Sequence, residues 1–152
     1  MYDAGPFHVP LSSAHVNEQA QGRVPFRRIA AAGAFSAGAA VVLGAFGAHG
    51  LRTVLSPEML AVYETGVRYQ MYHALALIAV GLAGTSLRNR ERRLLLGASW
   101  AFGCGTVLFS GSLYALALTG LHALGAVTPA GGLAFIAGWA LFGAAFLRGD
   151  RG

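Results

Sequence analysis

Four long apolar stretches alternate with short polar segments along most of the chain. They cover about residues 29–48, 69–87, 94–119 and 128–147. A helix rises about 1.5 Å per residue, so about 20 apolar residues cross the roughly 30 Å hydrocarbon core of a bilayer. The pattern therefore predicts an all-α fold, a bundle of four transmembrane helices joined by short loops.

Local signals mark where two of these helices begin. Ser-Pro-Glu at 56–58 offers a hydroxyl cap, a proline in the first helical position and an acid in the first turn. We therefore expect the second helix to start near Pro57, outside the membrane, and to enter the membrane near residues 68–73. Thr-Pro at 128–129 starts the fourth helix by the same logic.

Both ends of the chain are polar. Residues 1–24 show no helical period and are predicted to form a disordered cytoplasmic tail, followed by a membrane domain at 25–148 and a short tail at 149–152. The first apolar stretch also resembles a signal peptide with a small-residue cleavage site at 45–47. We interpret it as an uncleaved span, because it is longer than a typical signal core and three more spans follow.

Composition supports this interpretation. Hydrophobic residues make up 55% of the 152 residues and charged residues 11%, against about 25% charged in soluble domains, and the mean hydropathy is +0.56. All eleven basic residues are arginines, and they fall between the apolar stretches rather than along one face. The formal charge of +5 therefore reflects membrane topology, and we expect the lipid bilayer, not nucleic acid, as the partner.

The arginines also orient the bundle. Four spans place both termini on one side of the membrane, and that side holds nine arginines: Arg23, Arg27, Arg28, Arg88, Arg90, Arg92, Arg93, Arg148 and Arg151. The other side holds two, Arg52 and Arg68. Because basic residues concentrate in cytoplasmic loops, both termini are predicted to be cytoplasmic.

Ionisable residues at the mouth of the second span form the candidate site. Glu64 and Arg68 are four residues apart, so they share one helix face in the order that favours an ion pair, and Tyr72 continues that face. His73 is nine residues from Glu64 and is expected on the opposite face. Charge at a membrane boundary is costly, so the cluster indicates either a self-neutralising pair or a binding site for an ion or polar solute.

A candidate polar pocket in the outer leaflet follows from these positions and their expected depth. Its members are His49, Glu64, Arg68, Tyr72, His73, Ser110 and Tyr114. No histidine pair has the spacing of a metal site, so neither a metal nor another cofactor is expected. No nucleophile–base set appears, and the sequence around Ser110 lacks the glycines of a nucleophile elbow, so no catalytic residue is predicted.

Small residues at helical spacing predict close packing between helices. The predicted packing positions are Ser36, Ala40, Gly44, Ala48, Gly103, Gly131 and Gly132. A stripe of small and hydroxyl residues along the third span is expected to hydrogen-bond to other helices, and its members are Ser99, Gly103, Thr106, Ser110 and Tyr114. Trp139, near the middle of the fourth span, is expected to pack inside the bundle.

Five segments of the chain carry a family pattern. They are 44–50, 64–73, 108–114, 127–132 and 138–139. In this order they resemble the YgdD family of small bacterial inner-membrane proteins, which have a domain of unknown function, and the likeness covers about residues 28–147. The resemblance implies four spans in a bacterial inner membrane and brings no established activity, substrate or cofactor.

Two functions remain open from the sequence. The preferred one is a structural or accessory protein that packs against itself, as a homo-oligomer, or against a membrane complex, because a small bundle leaves little room for a translocation path. It predicts that Gly44→Leu disrupts assembly while Glu64→Gln changes little. The alternative is a binding or transport module for a small solute, ion or lipid in the outer-leaflet pocket, for which Glu64→Gln abolishes binding.

Overall fold

The computed structural model describes residues 13–87 and 89–149, and within them every regular element is helical. The elements are α1 (Ser13–Phe46), a π-helical turn (Gly47–Leu51), α2 (Pro57–Gly84), α3 (Asn89–Gly105), a second π-helical turn (Thr106–Ser110), α4 (Gly111–Thr119), a 3-10 turn (His122–Ala126) and α5 (Thr128–Gly149). Because α3, the second π-helical turn and α4 follow without a break, they form one continuous helical rod. Residues 13–87 and 89–149 thus form four long helices.

The helix α2 lies at the centre of the packing. It packs along α1 on one side and contacts α3 and α4 on the other, while α3 packs along α5. The partners of α1 glycines fix the direction of the first pair: a Cβ at Gly33 would meet Ala74, and one at Gly44 would meet Val67. Later residues of α1 thus meet earlier residues of α2, so the two helices run antiparallel.

The start of α2 follows its sequence signals. Ser56 has an extended backbone and its hydroxyl accepts a hydrogen bond from the Met59 amide at 3.3 Å, with Pro57 in the first turn. Hydrogen bonds from its own backbone amide and from the Ser56 side chain lower the pKa of Glu58, which is fully exposed. The N-terminus of α2 is therefore capped at its polar end, before the apolar half of the helix begins.

The helix α1 begins earlier than the sequence indicates. It starts at Ser13, so the part of the predicted disordered tail between residues 13 and 24 is helical, while residues 1–12 lie outside the described chain. This segment lacks an apolar period but contains good helix formers. Extending an existing helix gains one backbone hydrogen bond for each residue that becomes ordered, so the helix can continue through it. Pro25 is accommodated inside the helix. At the other end, α5 reaches Gly149.

Three helical segments of the described chain are long and apolar enough to cross a membrane. They are Val24–Leu51, Glu91–Thr119 and His122–Leu147, with mean hydropathies of 1.9, 1.6 and 1.8. The helix α2 is not among them, because its first half carries charged and polar side chains, including Glu64, Arg68 and Gln70. The span predicted at 69–87 therefore remains a prediction.

Close approach of the helices depends on some of the predicted small residues and not on others. Ala40 is fully buried, a Cβ at Gly44 would lie 3.3 Å from the Val67 side chain, and one at Gly131 would lie 2.5 Å from the Phe109 amide. Gly132 lies 3.9 Å from the Phe109 ring by the same measure, and Ser36 is half-buried against α2.

Two predicted packing positions are not at helix contacts. Ala48 is exposed, and a Cβ at Gly103 would meet nothing within 4 Å. The helix α3 packs through Leu95, Ala98 and Phe102, which are fully buried. Gly103 lies one residue, and therefore about 100° of rotation, away from that face.

Candidate functional site

Gln70 joins three helices at the centre of the bundle. Its amide nitrogen donates to the Ser36 carbonyl of α1 at 3.1 Å, and its amide oxygen accepts from the Tyr114 hydroxyl of α4 at 2.9 Å. Gln70 is 8% exposed, so its amide has little access to water and these two bonds satisfy its hydrogen-bonding groups instead. A buried amide with both ends bonded holds α2 in register with its two neighbours.

The His73 imidazole is held in one tautomer. Its Nδ1 lies 2.8 Å from the Tyr69 carbonyl, and its Nε2 lies 3.3 Å from the Trp139 indole nitrogen. An indole N–H can only donate, so Nε2 must accept and Nδ1 must carry the proton. The ring also stacks on Phe135, with centroids 3.3 Å apart and planes 5° from parallel. His73 is therefore a neutral group whose two nitrogens are both bonded.

An aromatic cleft opens between α2 and α5 beside His73. Its volume is about 520 Å³, and it is lined by Tyr69, Tyr72, His73, Phe109, Gly132, Phe135, Ile136 and Trp139. Trp139 is 47% exposed, so it faces this cleft and the outer surface of the bundle rather than packing inside as the sequence indicated. Its indole nitrogen nevertheless points inward to His73. The cleft thus combines exposed rings with one buried polar group.

Glu64 and Arg68 lie in a separate recess against α1. This recess has a volume of about 250 Å³ and is also lined by Gly44, Tyr63 and Val67. The Arg68 guanidinium donates to the Thr65 hydroxyl at 3.3 Å and to the Glu64 backbone carbonyl at 3.4 Å. The expected ion pair is therefore not formed, because exposed Arg68 bonds to its own helix instead of the Glu64 carboxylate.

The remaining predicted pocket residues are dispersed. His49 is exposed on the first π-helical turn, and Tyr114 packs against Tyr63 with ring centroids 5.0 Å apart. Ser110 is 1% exposed, and its hydroxyl has no hydrogen-bond partner in the described chain. Of the seven predicted residues, only Tyr72 and His73 line the aromatic cleft, while Glu64 and Arg68 share the smaller recess.

The hydroxyl stripe of the third span bonds differently from the prediction. Ser99 and Thr106 donate to carbonyls of their own helix, and only Tyr114 reaches another helix by a hydrogen bond. The link between the third and fourth long helices comes instead from Ser112, whose hydroxyl lies 2.8 Å from that of Thr128. Serine and threonine readily bond to their own helix, so spacing alone does not identify the residue that reaches across.

The described residues do not bring together a set of metal ligands. Among residues 13–87 and 89–149, no three His, Cys, Asp or Glu side chains come together as a metal site requires. In the aromatic cleft, the lone pair of His73 Nε2 is occupied by the Trp139 N–H. The chemistry that the cleft offers is therefore apolar contact, ring stacking and hydrogen bonding by the tyrosine hydroxyls at its edge.

Comparison with known proteins places these features in a family. A family model described as "Protein of unknown function (DUF423)" matches residues 43–132, which include α2 and most of the buried polar network. No solved structure matches the chain.

Relatives named as UPF0382 membrane proteins match most of the chain. A UPF0382 membrane protein of Staphylococcus haemolyticus is 54% identical over 97 residues, 63% of this chain and 75% of the relative. The UPF0382 membrane protein YwdK of Bacillus subtilis is 49% identical over 107 residues, 70% of this chain and 85% of the relative. The UPF0382 inner membrane protein YgdD of Escherichia coli is 43% identical over 104 residues, 66% of this chain and 75% of the relative. The chain belongs to the DUF423 family of membrane proteins of unknown function.

Proposed function

We propose that the protein spans the bacterial inner membrane four times, with both termini cytoplasmic, and acts there as a structural or accessory component. The fourth crossing is α2, whose 28 residues give a length of about 42 Å. It packs antiparallel along α1, and its buried polar side chains, Gln70 and His73, bond to neighbouring helices. Placing nine arginines on one side and two on the other then gives the orientation.

The accessory role is supported by one observation: the buried polar side chains form hydrogen bonds between helices. Gln70, Tyr114, His73 and Ser112 each bond to a residue of another helix. Groups committed to helix–helix bonds specify one arrangement of the bundle and leave few free donors for solute or catalysis. A rigid bundle of this kind is suited to presenting its outer surface to a partner, and no enzymatic role is proposed.

The small-residue face of α1 around Gly44, which the sequence suggested for self-association, already contacts α2 within the molecule. Gly44 faces Val67 of α2, so Gly44→Leu would disturb the monomer and would not distinguish assembly from folding. Better probes are glycines with open space around a Cβ, namely Gly38, Gly111 and Gly143. Leucine at these positions leaves the bundle intact while blocking close approach of another helix.

Native mass spectrometry of the gently extracted protein tests the role. We expect the wild-type protein to form a homo-oligomer or a stoichiometric complex with another membrane protein. One of the variants Gly38→Leu, Gly111→Leu and Gly143→Leu should lose this assembly while its thermal unfolding stays unchanged. The variants at the other two positions serve as matched controls. A monomer in the wild type, extracted under conditions that preserve known membrane complexes, would contradict the accessory role.

A second candidate, binding of a lipid-soluble molecule, rests on the aromatic cleft. Tyr69 and Tyr72 are 39% and 56% exposed, and their hydroxyls make no hydrogen bond within the described chain. Exposed rings beside free donors suit a planar molecule with hydrogen-bond acceptors that enters from the bilayer. The same mass spectra would show it as an added small mass, removed by Tyr72→Phe and retained in Glu64→Gln, because Glu64 lies in the other recess. Loss in Glu64→Gln alone would place binding in that recess instead.

A further inference from the structure

A further cleft lies between α1 and α3, away from the sites discussed above. Its volume is about 740 Å³. Ile29 and Ala32 line it from α1, Leu96, Trp100 and Gly103 line it from α3, and Leu77 of α2 lies between the two helices. The cleft exists because α1 packs on α2 whereas α3 packs on α5, which leaves α1 and α3 apart.

The shape of the cleft suits a chain-like apolar occupant. Its lining runs from Val24 to Ala32 along α1, a length of about 12 Å. Inside it, Ser99 already donates its hydroxyl to the Leu96 carbonyl at 2.8 Å. The walls therefore offer mainly apolar contact along their length, and the free side-chain donors in the lining are the Trp100 indole N–H and the Arg28 guanidinium. The volume fits a small ligand, whereas a partner helix, about 10 Å wide, would need a longer groove.

The mouth of the cleft carries a positive charge. Arg28 lines it at the beginning of the apolar part of α1, where arginines reach the headgroup layer. Its side chain is exposed and makes no hydrogen bond or ion pair within residues 13–87 and 89–149. A planar guanidinium binds phosphate through paired hydrogen bonds. The mouth thus selects for an anionic group and the walls for a hydrocarbon chain.

A second cation stands at the same end of the bundle. The Arg92 guanidinium lies 5.9 Å from the centre of the Phe26 ring, and its Nε donates to the Gly84 carbonyl at 3.1 Å. These contacts fix its charge against α1 and α2. Arg28 and Arg92 thus bring two positive charges to this end of the bundle, where Glu91 contributes one buried carboxylate, and basic pockets between transmembrane helices bind anionic lipid headgroups.

We propose that this cleft binds one anionic phospholipid from the leaflet on the arginine-rich side, with an acyl chain along Ile29, Ala32 and Trp100 and its phosphate on Arg28. The proposal does not depend on the accessory role. It requires only that the α1–α3 cleft face the bilayer, and it predicts selectivity by headgroup charge at a single arginine.

Quenching of Trp100 by brominated lipids tests the proposal. In Trp139→Phe, Trp100 is the only tryptophan, and the protein is reconstituted into vesicles that contain phosphatidylglycerol or phosphatidylcholine with brominated acyl chains at equal mole fraction. We expect stronger quenching by the brominated phosphatidylglycerol. Arg28→Gln should lower this preference about fivefold, the factor that one arginine near an anionic surface contributes.

The adjacent residue provides the matched control. Arg27 is exposed and lies outside the cleft lining, so Arg27→Gln removes the same charge at the same depth and should leave the preference unchanged. An equal loss in both variants would mean general surface attraction and would overturn the site. Equal quenching by both lipids would mean an unselective annular shell, and shielding of Trp100 from both would mean that a protein occupies the cleft. Either result would also overturn it.

A second pair of variants tests the cleft itself. Gly103 lines the cleft and Gly143 does not, and a Cβ at either meets nothing within 4 Å. Gly103→Leu should therefore fill the cleft in a folded protein and displace the lipid, while Gly143→Leu should not. Native mass spectrometry of protein with the wild-type tryptophans should show a retained phosphatidylglycerol that both Arg28→Gln and Gly103→Leu remove. Retention of that lipid in both variants would contradict the proposal.

Discussion

Replacing Gln70 by Leu should loosen the bundle at its centre. The change removes the bond from the Gln70 amide to the Ser36 carbonyl, at 3.1 Å, and the bond from the Tyr114 hydroxyl to the Gln70 oxygen, at 2.9 Å. Hydrogen bonds between transmembrane helices contribute about 0.6 kcal/mol on average and at most about 1.7 kcal/mol. Leu has a similar volume, so the free energy of unfolding should fall by about 1–2 kcal/mol through the lost bonds alone.

A double-mutant cycle separates the two bonds. Tyr114→Phe removes only the hydroxyl bond and should cost about 0.6 kcal/mol. The double variant should be about as stable as Gln70→Leu alone, because the hydroxyl has no remaining partner once the amide is gone. Equilibrium unfolding in mixed micelles, with the denaturing detergent as the titrant, measures all four proteins.

The control is a hydroxyl that bonds only within its own helix. Thr106 donates to the Phe102 carbonyl at 2.8 Å, so Thr106→Val should change the free energy of unfolding by less than about 0.5 kcal/mol. A loss of stability in Gln70→Leu no larger than in this control would show that the two bonds of Gln70 do not stabilise the bundle. If Gln70→Leu and Tyr114→Phe add within about 0.3 kcal/mol, the two side chains are not coupled, since independent sites behave that way.

Three further predictions concern other parts of the bundle. Gly84→Ala should destabilise the protein by about 1–3 kcal/mol in the same unfolding assay, because its methyl group would overlap an aromatic ring of α1, whereas Gly143→Ala, in open space, should not destabilise it. Glu64→Gln should change stability by less than about 0.5 kcal/mol, and a larger loss would reveal an ion pair that the structure lacks. Trp139→Phe should leave the proton of His73 on Nδ1, held by the Tyr69 carbonyl, and nitrogen chemical shifts showing it on Nε2 would contradict this.

The helices were predictable from the sequence where local rules dominate. The cap at Ser56 and the proline that follows it set the start of α2, and both act within one turn. The early start of α1 was missed because residues 13–24 have no apolar period, although nothing in them prevents a helix from extending. An apolar period is the main sequence signal for a helix, so a segment that lacks this period gives no such signal even where it is helical.

The candidate site was less predictable because its contacts join distant parts of the chain. The sequence placed Glu64 and Arg68 on one face, but it could not show that the guanidinium would bond to Thr65 instead. The partner of His73 is Trp139, 66 residues away, and depends on the rotation and depth of α5 against α2. Helical spacing gives the face on which a residue lies and leaves open which helix that face meets.

The central position of α2 accounts for its unusual composition. A helix that contacts α1 on one side and α3 and α4 on the other has protein around Gln70 and His73, so these two side chains find partners there that lipid could not supply. The same residues lower its hydropathy below that of the other long helices. Polar residues in α2 therefore do not by themselves indicate a ligand. The surfaces that remain open to one lie on the flanks, at the aromatic cleft beside α5, at the recess of Glu64 and Arg68 against α1, and at the cleft that ends in Arg28.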